Sequence, residues 1–162
     1  MTVHAFFIKQ WESEQPAFSR VLRAIPGDKL DYKPHERSTS AGDLAWQLAL
    51  EQQHMSEIVE RGEVHFEPPP RPATVEEILA VWDKATEDLR GRLSRLDDAA
   101  CAREANFFMG GKAVWSTTVG NMLWGYLFDM IHHRGQMSAY LRPMGAKVPS
   151  IYGPSADDSG SQ

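Results

Sequence analysis

The chain has a single cysteine, Cys101, in 162 residues. That excludes an internal disulfide and leaves no cysteine pair for a zinc knuckle. Basic charge is also scarce, with 17 Lys and Arg against 22 Asp and Glu and a formal charge of -5. Such a balance matches neither a phosphate backbone nor an anionic membrane surface, because both call for clustered cations. Long apolar runs are missing too. The longest, near Val119 to Ile131, is interrupted by Asn121, Gly125 and Asp129 and is too short to span a bilayer. The opening residues MTVHAFFIKQWESEQ show no basic stretch followed by an unbroken apolar one. The expectation is a cytoplasmic protein that binds neither nucleic acid nor membrane. With 42% apolar and 24% charged residues the chain has the composition of a folded domain, and its length fits one. Six histidines, the carboxylates and five tryptophans remain to carry chemistry.

No segment alternates in the manner of a multi-stranded sheet, whereas four repeat apolar residues every three or four positions, which predicts an all-α protein. The first helix spans about Val3 to Ile25 on Phe7, Trp11, Phe18, Val21 and Leu22, with Pro16 expected to kink or divide it. A polar connector covers Pro26 to Thr39. Helix two opens at Ser40-Ala-Gly-Asp43, resembling a capping box, and continues to Gly62. Glu67-Pro-Pro-Pro-Arg-Pro72 reads as a stiff linker. Thr74-Val-Glu-Glu77 is a full capping box before helix three, whose stripe runs from Val75 through Trp82 to Leu96. The helical pattern lapses from Asp97 to Ser116, where Phe107 to Trp115 reads as a hairpin turning at Gly110-Gly111. Helix four covers about Thr117 to Met144. These elements predict a four-helix bundle over residues 1–155 with a long crossover and a hairpin-like excursion before the last helix, then a disordered tail at 156–162.

Placing each helix on a wheel of roughly 100° per residue shows which polar groups share the core face. In helix two, Leu44, Leu48, Met55, Ile58 and Val59 form the stripe, with Glu51 near its middle, Gln47 on its flank and His54 at its edge. A buried carboxylate is costly unless protonated, paired or bound to a cation. In helix four, Asp129 and His133 lie four residues apart on one flank of the stripe, beside Met122, Tyr126 and Tyr140. Two such groups at i and i+4 either converge on one ion or pair with each other. The inward Gln47 and Glu51 on a second helix favour the ion, since bundle interiors are where inward carboxylates and histidines build metal sites. His132 projects about a quarter turn away, and His4, His35 and His65 fall at a terminus or in polar connectors. Cys101 reads as a structural or surface thiol. Trp46, Leu50, Trp124, Phe128 and Ile131 point away from the stripes, which suggests a homodimer through helices two and four or a cover made by the chain's own loops.

The run His132-His-Arg-Gly-Gln136, continuing through Tyr140-Leu-Arg142, Gly145, Val148-Pro149 and Ile151-Tyr-Gly-Pro154, resembles the DinB/YfiT-like superfamily of four-helix bundles. Leu30-Asp-Tyr-Lys-Pro34 and Ser40-Ala-Gly-Asp-Leu-Ala-Trp-Gln47 look like the family's first connector and second helix, so the resemblance spans most of the chain. It implies a divalent metal, commonly zinc or nickel, on three histidines: one in helix two and a His-x-x-x-His pair in helix four. The second of that pair is His133 here, the first falls at Asp129, and the helix-two histidine falls at Gln47. Two of the three ligands are therefore changed, which shifts preference toward harder ions such as manganese or iron, or away from metal altogether. Glu51, one turn from Gln47, is placed to supply an anionic ligand. Family members include thiol S-transferases that use a low-molecular-weight thiol and proteins described as metal-dependent hydrolases. The resemblance implies a metal-dependent enzyme acting on a small electrophile, with Tyr126, Arg134 or Tyr140 orienting it. The other reading is a non-catalytic bundle with a degenerate site that binds a small ligand or serves a stress response.

Overall fold

A computed structural model describes residues 2–160. Four long helices make up most of it: α1 (Val3–Arg23), α2 (Ala41–Arg61), α3 (Val75–Leu93) and, after a short α4 (Asp98–Ala102), α5 (Val119–Leu141). The caps expected at Ser40 and Thr74 are present, and the structure adds one at Thr118. Ser40 Oγ accepts from the Asp43 amide, Thr74 and Glu77 form the reciprocal capping box, and Thr118 Oγ1 accepts from the Asn121 amide. Each satisfies an amide that the first helical turn would otherwise leave unpaired.

α2 packs on α3 and α5, while α1 packs chiefly on α5. α1 and α2 therefore face each other across the bundle, and the connector 24–40 is the long crossover. A closed polar chain crosses the centre. Trp11 Nε1 donates to Gln52 Oε1 (3.1 Å), Gln52 Nε2 to Gln15 Oε1 (2.8 Å), and Gln15 Nε2 to the Trp11 carbonyl (2.9 Å). Every buried amide group in that chain has a partner, which is the condition for keeping it in an apolar interior.

Two expectations need correction. α1 is not divided at Pro16. The roughly 3 kcal/mol that an internal proline costs is outweighed by burying Trp11, Phe18, Val21 and Leu22 on either side of it. The fold is predominantly helical but not all-α. β1 (Glu63–His65) runs parallel to β2 (Glu104–Met109), and β2 pairs antiparallel with β3 (Lys112–Thr118), giving a three-stranded sheet in the order β1-β2-β3. The hairpin at Gly110-Gly111 is as expected, but β1 is too short to show periodicity. Its start depends on Gly62, which caps α2 at φ 75° and whose missing Cβ would stand 2.7 Å from the Glu104 carbonyl. Helix two's outward face is covered by the chain itself: Leu50 is buried, and Trp46 Nε1 donates to the Pro69 carbonyl. Residues 156–160 of the expected tail carry hydrogen bonds to the loop before them. Asp157 accepts from the Val148 amide and Arg142, and Asp158 accepts from the Ser150 amide. Residues 161 and 162 of the expected tail lie outside the described residues. Among those described, no helix is long and apolar enough to cross a membrane.

Candidate metal centre

α2 and α5 run side by side and bring Gln47, Glu51, Asp129 and His133 together, as the wheels required. One ligand atom from each of Glu51, Asp129 and His133 lies within 4.8 Å of the other two. His133 Nε2 stands 3.4 Å from Asp129 Oδ2 and 3.9 Å from Glu51 Oε1. Gln47 Nε2 is 2.9 Å from Glu51 Oε1 and 2.7 Å from His133 Nε2.

The histidine's tautomer follows from its partners. An amide nitrogen only donates, so His133 Nε2 accepts from Gln47. The ring's Nδ1 then carries the proton and donates to Gln136 Oε1 at 2.8 Å. A ligand histidine needs this arrangement, with one nitrogen anchored and the other's lone pair aimed at the centre. The sequence reading placed Gln136 in the motif that closes on it but gave it no part in the site. The signal was its position three residues after His133, on the same helical face.

Glu51 is 4% exposed, and its Oε2 has no hydrogen-bond partner. Burial is the main cause of its carboxyl pKa rising to about 9, assisted by the charge of Asp129 and opposed by the Gln47 hydrogen bond. A carboxyl with one orphaned oxygen, next to an imidazole lone pair and a second carboxylate, fits a divalent cation, which would complete all three. Asp129 is half exposed, so the site is reached from solvent on that side.

A cavity of about 590 Å³ lies beside these donors, with Gln47, Glu51 and Asp129 at its polar end. Its walls are aromatic: Trp46 from α2, Phe66 after β1, Phe107 and Trp115 from the hairpin, and Tyr126 from α5. His54 completes the wall, with Tyr126 Oη 3.4 Å from its Nδ1. Burial lowers the His54 pKa to about 4 and pushes the Tyr126 phenol above its ordinary range, so at neutral pH the imidazole is uncharged and the phenol keeps its proton. Sequence placed His54 at the stripe's edge and went no further. Its spacing of seven from Gln47 and three from Glu51 was the available signal.

Two of the three orienting groups proposed from sequence do not reach the cavity. Arg134 is 2% exposed on the opposite side of α5, paired with Glu14, hydrogen-bonded to Tyr152 Oη and stacked on Phe18. Tyr140 donates to the Thr39 carbonyl and packs against Tyr32. Arg134 projects roughly 100° around the helix from His133, whereas Tyr140, seven residues on, keeps nearly the same direction but lies about two turns farther along the axis. His132 is exposed, His4 pairs with Asp98, and His65 stacks on Phe108. Cys101 is buried against Gly120, away from the cavity, with its thiol pKa pushed up by burial.

A family model described as the DinB family matches residues 1–161. An uncharacterized protein, YrdA of Bacillus subtilis (strain 168), is 25% identical over 157 residues, covering 94% of this chain and 89% of YrdA. Two solved structures share the fold. A DinB-like protein (YjoA) from Bacillus subtilis aligns with TM-score 0.67 at 21% identity, covering 86% of this chain and 91% of that one. A DinB-like protein from Bacillus cereus aligns with TM-score 0.75 at 20% identity, covering 90% and 95%.

Proposed function

Because the chain belongs to the DinB family and joins a three-donor cluster to an aromatic cavity, we propose that it is a metal-dependent enzyme acting on a small electrophilic molecule, of the thiol S-transferase or hydrolase type. The observation that carries this reading is the orphaned Oε2 of buried Glu51, grouped with Asp129 and the inward-facing Nε2 of His133. Glu51, Asp129 and His133 would hold the ion, with the Gln47 amide oxygen as a neutral fourth donor once its amide turns over. The resemblance favours zinc or nickel, and the two carboxylates extend the range to manganese and iron. When bound, such an ion supplies Lewis acidity, which polarises an electrophile and lowers the pKa of a water or thiol beside it.

The chain's own groups do the remaining work. Tyr126 holds its proton at Oη and offers it as a hydrogen bond, while His54, kept neutral by burial, accepts at Nδ1. Together they present one donor and one acceptor on an otherwise apolar wall. Since Cys101 lies away from the cavity, an attacking thiol would arrive as a small-molecule co-substrate. The reading includes a homodimer on the α5 face where Phe128 is 62% exposed beside Trp124 and Phe6; a monomeric mass in light scattering at micromolar concentration would overturn that part.

A second reading is favoured by the Gln47 amide, which already satisfies Glu51 Oε1 and His133 Nε2 in the manner of a hydrogen-bonded plug. On that reading the bundle is a non-catalytic binder. Elemental analysis separates the two. Protein from metal-supplemented cells is expected to carry near-stoichiometric metal that His133→Ala loses, and metal-free wild type would favour the plug. Conjugation of a thiol to monochlorobimane is expected to depend on added metal. Equal rates with and without it would reject the transferase.

A further inference from the structure

The cavity's lining carries more than the donor cluster uses. Five aromatic side chains reach it from five separate stretches of chain, and three of them join His54 in a continuous run of rings. Phe107 lies 5.8 Å from Phe66, Phe66 lies 6.1 Å from His54, and His54 lies 5.9 Å from Tyr126 between ring centroids. Contacts of this kind favour another flat ring, through edge-to-face and offset packing.

Charge narrows the choice. Among the described residues, no lysine or arginine lines the cavity. An anionic ligand would lose its hydration with nothing positive to replace it, and it would face Asp129 at the rim. Among the described lining residues, the Tyr126–His54 pair and the polar end carry hydrogen-bonding groups a ligand can use.

One wall is set by a close approach. The Trp115 indole of β3 lies against Gly125 of α5, so closely that a Cβ there would come 2.5 Å from the indole Cη2. Any side chain at 125 must push the ring away. Gly125 immediately precedes Tyr126 and lies one turn before Asp129, so the glycine lets an indole from the hairpin reach over the helix that carries part of the donor cluster.

We propose that this cavity binds an uncharged molecule bearing a flat ring, and that Trp115, seated on Gly125, is the residue that sets the size of the ring accepted. The inference rests on reading the cavity as the substrate site and does not require the ion. Isothermal titration calorimetry on the full chain with chelator present tests it, using 2-naphthol, 2-naphthoate, 2-naphthylmethylammonium and cyclohexanol. A single saturable site for 2-naphthol is expected, with 2-naphthoate and cyclohexanol each at least about tenfold weaker. Gly125→Ala, which keeps the helix, and Trp115→Ala are each expected to weaken 2-naphthol at least about fivefold with an unchanged circular dichroism spectrum. Absent 2-naphthol binding, equal affinity for 2-naphthoate, tighter binding of the ammonium, or no effect of either variant would overturn the proposal. Zinc titration of the same preparation reports on the metal reading separately: ring binding without zinc binding leaves this inference standing and removes the other, and the reverse result does the opposite.

Discussion

The side-chain nitrogen of Gln47 sits 2.7 Å from Nε2 of His133, so a donor-only group caps the lone pair that a metal would take. The same nitrogen reaches Glu51 Oε1 at 2.9 Å. One amide thus bridges two of the three candidate donors and occupies the position between them. An ion entering this site must break both hydrogen bonds, or the amide must turn over and offer its oxygen.

That competition makes Gln47 the natural point of intervention. Gln47→His replaces the bridging donor with a second imidazole ligand, and zinc affinity measured by calorimetry is expected to rise at least about tenfold. An unchanged or weaker affinity would mean that position 47 does not face the ion.

Gln136 acts one step further out. Its Oε1 holds Nδ1–H of His133 and thereby keeps Nε2 turned inward. Gln136→Ala is expected to weaken zinc binding about 10–100-fold with little change in thermal stability, whereas Gln136→Glu should retain it. Equal affinities for wild type and Gln136→Ala would remove the positioning role.

The buried acid and the buried imidazole give the metal-free protein opposing pH dependences. The folded-state pKa of Glu51 is raised from 4.5 to about 9, so the stabilising preference for the protonated form is intact below 4.5 and is progressively lost as pH rises toward 9. The His54 value falls from 6.5 to about 4, so its contribution is present above 6.5 and is lost as pH drops toward 4. Between pH 6.5 and 8, of these two groups, Glu51 acts alone. Urea unfolding with chelator present is expected to show wild type losing up to about 1.4 kcal/mol per pH unit in that window, with Glu51→Gln nearly flat. Parallel curves for the two proteins would contradict the assignment. Since a ligating carboxylate must be ionised, zinc affinity should also increase over the same range.

Arg134 separates structure from site. Arg134→Met leaves Glu14 without its guanidinium in a nearly closed environment and is expected to cost about 3–5 kcal/mol in chemical denaturation. Zinc affinity of the folded variant should stay within about twofold of wild type. A large loss of zinc affinity would put Arg134 back among the site residues.

Much of the scaffold was legible along the chain. Helix boundaries at Ser40 and Thr74 follow from local capping chemistry, and Gly110-Gly111 announces its turn, because each involves groups only a few residues apart. The inward placement of Gln47, Glu51, Asp129 and His133 was also readable, since helical periodicity assigns a residue to a face before any partner is known. Which faces meet was not. Arg134 and Tyr140 seemed as suitable as Tyr126 until packing sent one toward α1, one toward the connector and one into the cavity. β1, the Trp115–Gly125 approach and the orphaned oxygen of Glu51 likewise depend on contacts between segments that are distant in sequence. Periodicity and capping are local and so are written in the order of residues, whereas desolvation and aromatic enclosure arise only where separate elements touch.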